Sequence, residues 1–370
     1  MLRLDVLQAA FGDCLVVAFG DPAAPSYILV DGGPPGTYEA HLRPYLVARR
    51  SEGLAALGLV VLTHVDNDHV TGLLDLFADL RAEPNGSASR PLPDVRALWH
   101  NSFARSAGSA SLEPQLRALF ASAGAARAEM QTLDATLTGI AEGNALRVDA
   151  ELLGVPQNEG FAGQLVAVES SGPIKLDDRT TVRIVGPGKA ALDRLRRSWQ
   201  RWLARHADRV ATGELAAATA ADESIPNLSS IVFLVERDGA RLLMTGDARA
   251  DHVQEGLTEV GLLTDAGPFH VSVLKVPHHG SARNMTPAFL RAVTADTYVI
   301  SADGRYGNPD LQCLQWIVEA ARETRRAITL AATNETDALR QLRKLYPPAQ
   351  SGYEIRVLQP DESVMQIPVG

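Results

Sequence analysis

The sequence is short of several things, and each shortage removes a class of protein. It has only two cysteines in 370 residues, Cys14 and Cys313, far apart in the chain. That excludes a disulfide framework and a thiolate zinc site, and it fits a reducing compartment. No apolar run approaches the ~18 residues that a membrane-spanning helix needs. The start, MLRLDVLQAAFGDCLVVAFG, lacks a basic segment followed by a continuous apolar one, and Asp5 and Asp13 interrupt it, so it does not read as a secretory signal. Positive charge is in deficit. The formal net charge of -9 argues against a general nucleic-acid binder, so any polyanion site must be a local basic patch. No internal repeat recurs at a fixed period. The expectation is a soluble cytoplasmic protein with no membrane span. What remains is ordinary for a globular chain, with 46% hydrophobic and 21% charged residues and length for one large domain or two.

Strand and helix patterns alternate along the chain. RLDVLQ and CLVVAF read as strands joined by the turn AAFGD, and SYILVDGG reads as a third. Helical spacing follows over residues 38–50. GLVVLTH is a short buried strand, and VTGLLDLFADL is the helix after it. VRALWHNSF, TVRIVGPG, HVSVLKVPHHGS and DTYVISADGRYGNPD are further strands with polar ends, and SSIVFLVERDGARLLMTGDA is a hairpin turning at Asp238-Gly239. Residues 104–145 are rich in Ala, Ser and Leu and are expected to be helical. Polar, Gly-rich strand ends therefore recur at His64, His100, Asp247, His279 and Asp303. In a layered α/β protein such ends converge on one edge, where ligand sites form.

The densest of these ends is LTHVDNDHVTG, residues 62–72, with two histidines and two aspartates between His64 and His69. On an extended loop His64, Asp66 and Asp68 point the same way, and His69 follows as the chain turns into the helix. Imidazole and carboxylate without thiolate suit Zn²⁺, Mn²⁺ or Fe²⁺. The plainer alternative is a solvated loop in which Asn67 or Asp68 caps the helix.

The segment THVDNDHVTG resembles the HxHxDH signature of the metallo-β-lactamase fold, with Asp66 in place of the second histidine. The HxDxDH variant is similar to the hydrolase domain of the bacterial competence protein ComEC. LVDGG at 29–33, NLSSIVFLV at 227–235, LLMTGDA at 242–248, VLKVPHHGS at 273–281 and ISADGRYGNP at 300–309 resemble that group's further motifs, in the same order. The resemblance implies an αβ/βα sandwich of two β-sheets flanked by helices. It also implies two divalent ions, Zn²⁺ or Mn²⁺, at one edge. His64 and Asp66 match the ligands of one ion, Asp68 and His69 those of the other, and Asp247 the carboxylate that bridges them. PHHG puts His279 on a ligand position, with His278 either an alternative ligand or a catalytic, substrate-facing group. His100 stands where some members carry a third histidine ligand. Asp31 is expected behind a ligand, accepting its other N–H, and Asp13 is expected to order the metal loop.

Two ions at such a site give a bridging hydroxide and stabilise developing negative charge, chemistry that serves phosphodiesters, lactams, lactones and thioesters alike. The expected activity is that of a phosphodiesterase or nuclease, with Asp68 and Asp247 indispensable. Lys275, two residues before PHHG, is expected to neutralise phosphate. Asn227, Ser230, Arg305, Tyr306 and Asn308 are candidates for substrate binding. Residues 189–209 carry seven Lys/Arg against two Asp. There Leu192, Leu195, Trp199 and Trp202 make an apolar stripe, and Arg194, Arg197, Arg201 and Arg205 make a basic face for a phosphate backbone. The sequence also departs from the pattern, because Asn308 stands where the group carries a histidine and cannot be a general acid. That departure and the net charge favour a second expectation, a hydrolase of small esters, lactones or lactams. A third, a non-catalytic binding module, conflicts with the intact ligand set. The expected organisation is a catalytic domain over 1–310 with insertions at about 104–145 and 186–225. A C-terminal extension, 311–370, would pack on the same domain. The insertion or the C-terminal helices offer a surface for a protein partner or a dimer.

Overall fold

The computed structural model describes residues 1–82, 90–101, 135–161, 164–197 and 229–370. Two β-sheets face each other. The first has the strand order β16-β1-β2-β3-β5-β7 and the second β15-β14-β13-β12-β11-β10-β9-β8, with β8 at Ile174–Lys175, while β4 (Ala56–Leu57) and β6 (Asp94–Val95) pair in a small sheet of their own. In the first sheet β1 (Leu2–Leu7), β2 (Leu15–Asp21) and β3 (Ala24–Val30) form an antiparallel meander. β5 (Leu59–Leu62) and β7 (Leu98–His100) extend it in parallel. In the second sheet β9 (Thr180–Gly186), β10 (Val232–Arg237) and β11 (Ala240–Met244) are antiparallel neighbours. β12 (Phe269–Lys275), β13 (Val293–Ile300), β14 (Ile328–Ala332) and β15 (Tyr353–Val357) continue it in parallel.

Alternation along the strands explains the layers. Val17, Ile28, Val30 and Val61 from the first sheet meet Phe233, Leu242, Met244 and Val273 from the second in one buried cluster. The other face of the first sheet is covered by α1 (Arg43–Ser51), α2 (Asn67–Ala82) and α3 (Ala135–Leu152), through Leu46, Leu73, Phe77 and Leu146. The outer face of the second sheet is covered by α4 (Ala250–Glu259), α5 (Pro287–Ala292), α6 (Leu311–Glu323) and α7 (Asp337–Leu345), through Val253, Phe289, Ile317 and Leu342. These are the layers of an αβ/βα sandwich. No described helix is long and apolar enough to cross a membrane.

Residues 311–370 are spread through both layers. β14 and β15 widen the second sheet, while β16 (Val364–Pro368) pairs with β1 in the first. The basic segment is helical through residues 189–197, with Leu192 and Leu195 buried and Arg194 and Arg197 exposed. Trp199, Arg201, Trp202 and Arg205 lie outside the described residues, as does most of the 104–145 segment.

Helix α2 starts directly over the loop that follows β3, and two glycines allow it. A Cβ on Gly72 would lie 2.0 Å from the Gly32 carbonyl oxygen, and one on Gly32 would lie 2.2 Å from the Leu73 nitrogen. Gly72→Ala is expected to destabilise the protein by about 1–3 kcal/mol, the usual cost of overpacking. Gly172→Ala, with nothing within 4 Å of the added carbon, should stay within ~0.5 kcal/mol. Urea midpoints of the two variants test this, and equal midpoints would refute the close-packing account.

Candidate metal centre

The parallel strands of both sheets end on the same edge. β3 delivers Asp31, β5 delivers Thr63 to His69, β11 delivers Asp247, and β12 delivers His278 and His279. Gly12 lets the turn before β2 join them, since a Cβ there would sit 2.0 Å from the Asp68 carbonyl oxygen. The Asp13 amide donates to that same oxygen at 3.2 Å. Asp66 precedes α2 and accepts the amides of His69 and Val70 through its carbonyl. Asp68 and His69 therefore occupy the first helical turn, where a carboxylate also favours the helix dipole.

Three imidazoles aim one nitrogen into this edge and anchor the other. His69 Nδ1–H donates to Asp31 Oδ2 at 2.8 Å. His279 Nδ1–H donates to the Ser301 carbonyl at 2.9 Å. The Thr63 hydroxyl donates to Asp31 Oδ2 at 2.7 Å, so its lone pair is what meets His64 Nδ1 at 3.0 Å. The Nε2 atoms of all three rings are buried without a hydrogen-bond partner, and so is Asp247 Oδ1. Unsatisfied buried polar atoms are costly in a native protein unless an ion completes them.

Around those atoms stand the carboxylates. His64 Nε2 lies 3.4 Å from Asp66 and 3.7 Å from Asp247. His69 Nε2 lies 3.5 Å from Asp247 and 3.8 Å from Asp68. His279 Nε2 lies 3.2 Å from Asp68 and 3.6 Å from Asp247. Among the described residues four ligating groups overlap: His64–His69–Asp247, Asp68–His69–His279, and two through Asp13, one with Asp247 and His279 and one with Asp31 and His69. With neutral imidazole and carboxylate donors converging, these residues fit divalent cations. Burial pulls the His69 and His279 rings down, but the carboxylates beside them, Asp247 first, outweigh it. His69 is held well above its usual value, and His279 is pushed up to about 10. Burial likewise pushes Asp247 up, and His278, His279 and His69 together hold it well below the carboxylate range. Such mutual stabilisation marks a cluster whose electrostatics favour positive charge.

Backbone strain marks the same edge. Asp31, His278 and His279 are non-glycine residues with φ of 57°, 47° and 55°. Each costs about 1–3 kcal/mol, and such residues concentrate at functional sites.

A cleft of about 520 Å³ opens over the cluster, lined by Phe11, Asp66, Asp68, His278, His279, Ser281, Arg283, Arg305, Tyr306 and Asn308, among others. His278 faces this space with its side chain 30% exposed and Nε2 3.5 Å from Asp247. His279 is buried, and it is the one in the ligating groups.

Several expectations need correction. Lys275 does not reach the cleft. It is fully buried, its ammonium 2.8 Å from Asp13 Oδ2 and donating to the Val276 carbonyl. A lysine committed to a buried carboxylate cannot also neutralise a substrate. Burial pushes the Asp13 carboxyl up, but Lys275 and His279 beside it hold it well below the usual range. His100 lies in none of the ligating groups among the described residues, because its Nε2 meets Gln157 Oε1 at 2.8 Å on a segment that returns alongside β7. Ser230 is buried and does not line the cleft, nor does Arg197. Asn227 lies outside the described residues. Sequence reasoning missed Thr63, although it adjoins the motif. It also missed Ser281, the last residue of VLKVPHHGS, and Phe11 and Arg283, which no local pattern marks.

Neither protein-family models nor curated proteins give a match to this chain. Among solved structures, Zn²⁺-bound PqqB from Methylobacterium extorquens is similar at 13% identity and a TM-score of 0.39, covering 99% of this chain and 100% of that one. A mutant of the β-hydroxylase CmlA is similar at 11% identity and a TM-score of 0.41, covering 99% of this chain and 54% of that one.

Asp31→Asn should lower zinc affinity about 10–100-fold while the fold survives, as loss of an orienting partner does at metal sites. A chelator-competition titration that finds unchanged affinity would refute the orienting role. Lys275→Met leaves the buried Asp13 without its ammonium partner, and should cost about 3–5 kcal/mol in denaturant unfolding.

Proposed function

We propose that this protein is a metal-dependent phosphodiesterase, acting on nucleic acid in the manner of the ComEC-like hydrolases its motifs resemble. The observation that carries the reading is the pair of guanidinium groups, Arg283 and Arg305, lining the same cleft as Asp66, Asp68 and His278. Guanidinium is the side chain best matched to phosphate oxygens. Divalent ions held by His64, Asp66, Asp68, His69, Asp247 and His279 would supply a water of lowered pKa and positive charge opposite the phosphoryl oxygens.

The chain's own residues do the rest. Arg283 and Arg305 orient the phosphate. Asp31 and Thr63 hold His69 and His64 in one tautomer each. His278 faces the cleft and holds a proton at Nε2 for the leaving oxygen as its bond to phosphorus breaks, a task Asn308 cannot take. His278→Gln should slow hydrolysis of a dinucleotide by about 10²–10⁴-fold, the usual weight of a general acid. Bis-p-nitrophenyl phosphate, whose leaving group needs no proton, should be slowed far less. Equal losses on both substrates would remove His278 from that role.

A second reading, hydrolysis of a small ester, lactone or lactam on the same residues, is favoured by one observation. The cleft of about 520 Å³ falls in the ~300–1,000 Å³ range of small-molecule pockets. The deciding experiment incubates the protein with single- and double-stranded DNA, RNA and bis-p-nitrophenyl phosphate, with Mn²⁺ or Zn²⁺, and with Asp247→Ala as the blank. Metal-dependent cleavage that the blank lacks, and that weakens on polynucleotides as salt rises, is the expected result. Turnover of neutral esters that ignores salt, with every phosphodiester left intact, would select the second reading.

A further inference from the structure

Among the described residues three large hydrophobic side chains are exposed, Leu152, Tyr306 and Leu345, and of these only Tyr306 lines the cleft. It is 73% exposed, yet held from several sides. Tyr306 sits in a four-residue turn closed by the Gly307 amide donating to the Gly304 carbonyl at 3.1 Å. Asp303 Oδ1 braces the turn by accepting the Arg305 amide at 2.8 Å. The ring of Phe11, from the turn between β1 and β2, meets Tyr306 edge to face, with centroids 5.1 Å apart and planes at 87°. The Arg305 guanidinium lies over the Phe11 ring at 4.8 Å. Two segments far apart in sequence thus brace one aromatic ring at the mouth of the cleft and leave most of its surface open to water.

We propose that Tyr306, braced by Phe11 and flanked by Arg305, is a stacking platform for an unpaired nucleobase next to the phosphodiester in the cleft. The inference rests on the phosphodiester reading of the site and narrows it to single-stranded nucleic acid. A base inside a duplex has both faces covered by its neighbours and cannot stack on a side chain, whereas an unpaired one can, whatever its identity. The braced ring has little freedom to lose on binding, and the guanidinium beside it takes the adjoining phosphate.

The test is the affinity of metal-loaded protein for two probes of equal charge, a short oligothymidylate with a hydrolysis-resistant phosphorothioate backbone and its abasic counterpart. Wild type should prefer the base-bearing strand by about 5- to 150-fold, the weight of one stacked base. Tyr306→Ala and Tyr306→Leu should bring that ratio close to one, and Tyr306→Phe should keep it. Equal binding of both strands by wild type, or a preference that survives in Tyr306→Ala, would overturn the platform. Hydrolysis of bis-p-nitrophenyl phosphate by the same preparation separates the two ideas. Hydrolysis together with equal binding removes the platform and leaves the phosphodiesterase reading. A base preference without hydrolysis of any phosphodiester removes that reading and leaves the platform.

Discussion

Asp31 holds three hydrogen bonds on a side chain shut off from water, from the Thr63 amide, the Thr63 hydroxyl and His69 Nδ1. The first two fix the start of the ligand loop, and the third fixes a ring. Because the hydroxyl proton is committed to the carboxylate, Thr63 has only a lone pair left for His64. One carboxylate therefore settles the tautomer of two imidazoles, one directly and one through a relay. The residue stands in the left-handed backbone region, which costs any side chain more than it costs glycine, though aspartate less than most. Bonds to an ionised acceptor in a dry interior are strong enough to offset that strain.

Charge is organised on the same plan around it. Asp13 lies between two strands of the first sheet, and Lys275 ends a strand of the second, so their buried ion pair joins the sheets just behind the cluster. The ligating groups are divided in the same way. His64, Asp68 and His69 come from the first sheet, Asp247 and His279 from the second. An ion held among them would bridge the halves of the sandwich, coupling metal occupancy to the stability of the whole fold.

Much of this was legible in the sequence because it is local. Runs such as GLVVLTH and VLKVPHHGS place a buried strand directly before its polar residues, so the strand reports where those residues stand. The gathering of Asp31, His64, Asp68, His69, Asp247 and His279 onto one edge follows from that grammar together with the motif resemblance. Lys275 was misread because its partner, Asp13, is remote in sequence. His100 sits at a strand end like the others, but a returning segment brings Gln157 to its ring, and no periodicity announces that competitor. The cleft's lining was half visible. Arg305 and Tyr306 lie within a motif, whereas Phe11 and Arg283 become neighbours only once the sheets have packed. Residues 311–370 read as an appendix because strand order cannot be inferred from strand order in sequence; in the fold they supply edge strands to both sheets.

That last feature bears on how the protein is made. The N-terminal strand β1 pairs with β2 on one side and, on the other, with residues 364–368. Until those residues leave the ribosome, one flank of β1 presents unpaired amides and carbonyls beside Leu2, Leu4 and Val6, an open invitation to another strand. At synthesis rates of about 5–20 residues per second, that exposure lasts on the order of tens of seconds. Every nascent chain passes through this interval, during which its fate rests with whatever shields the bare edge in the cell.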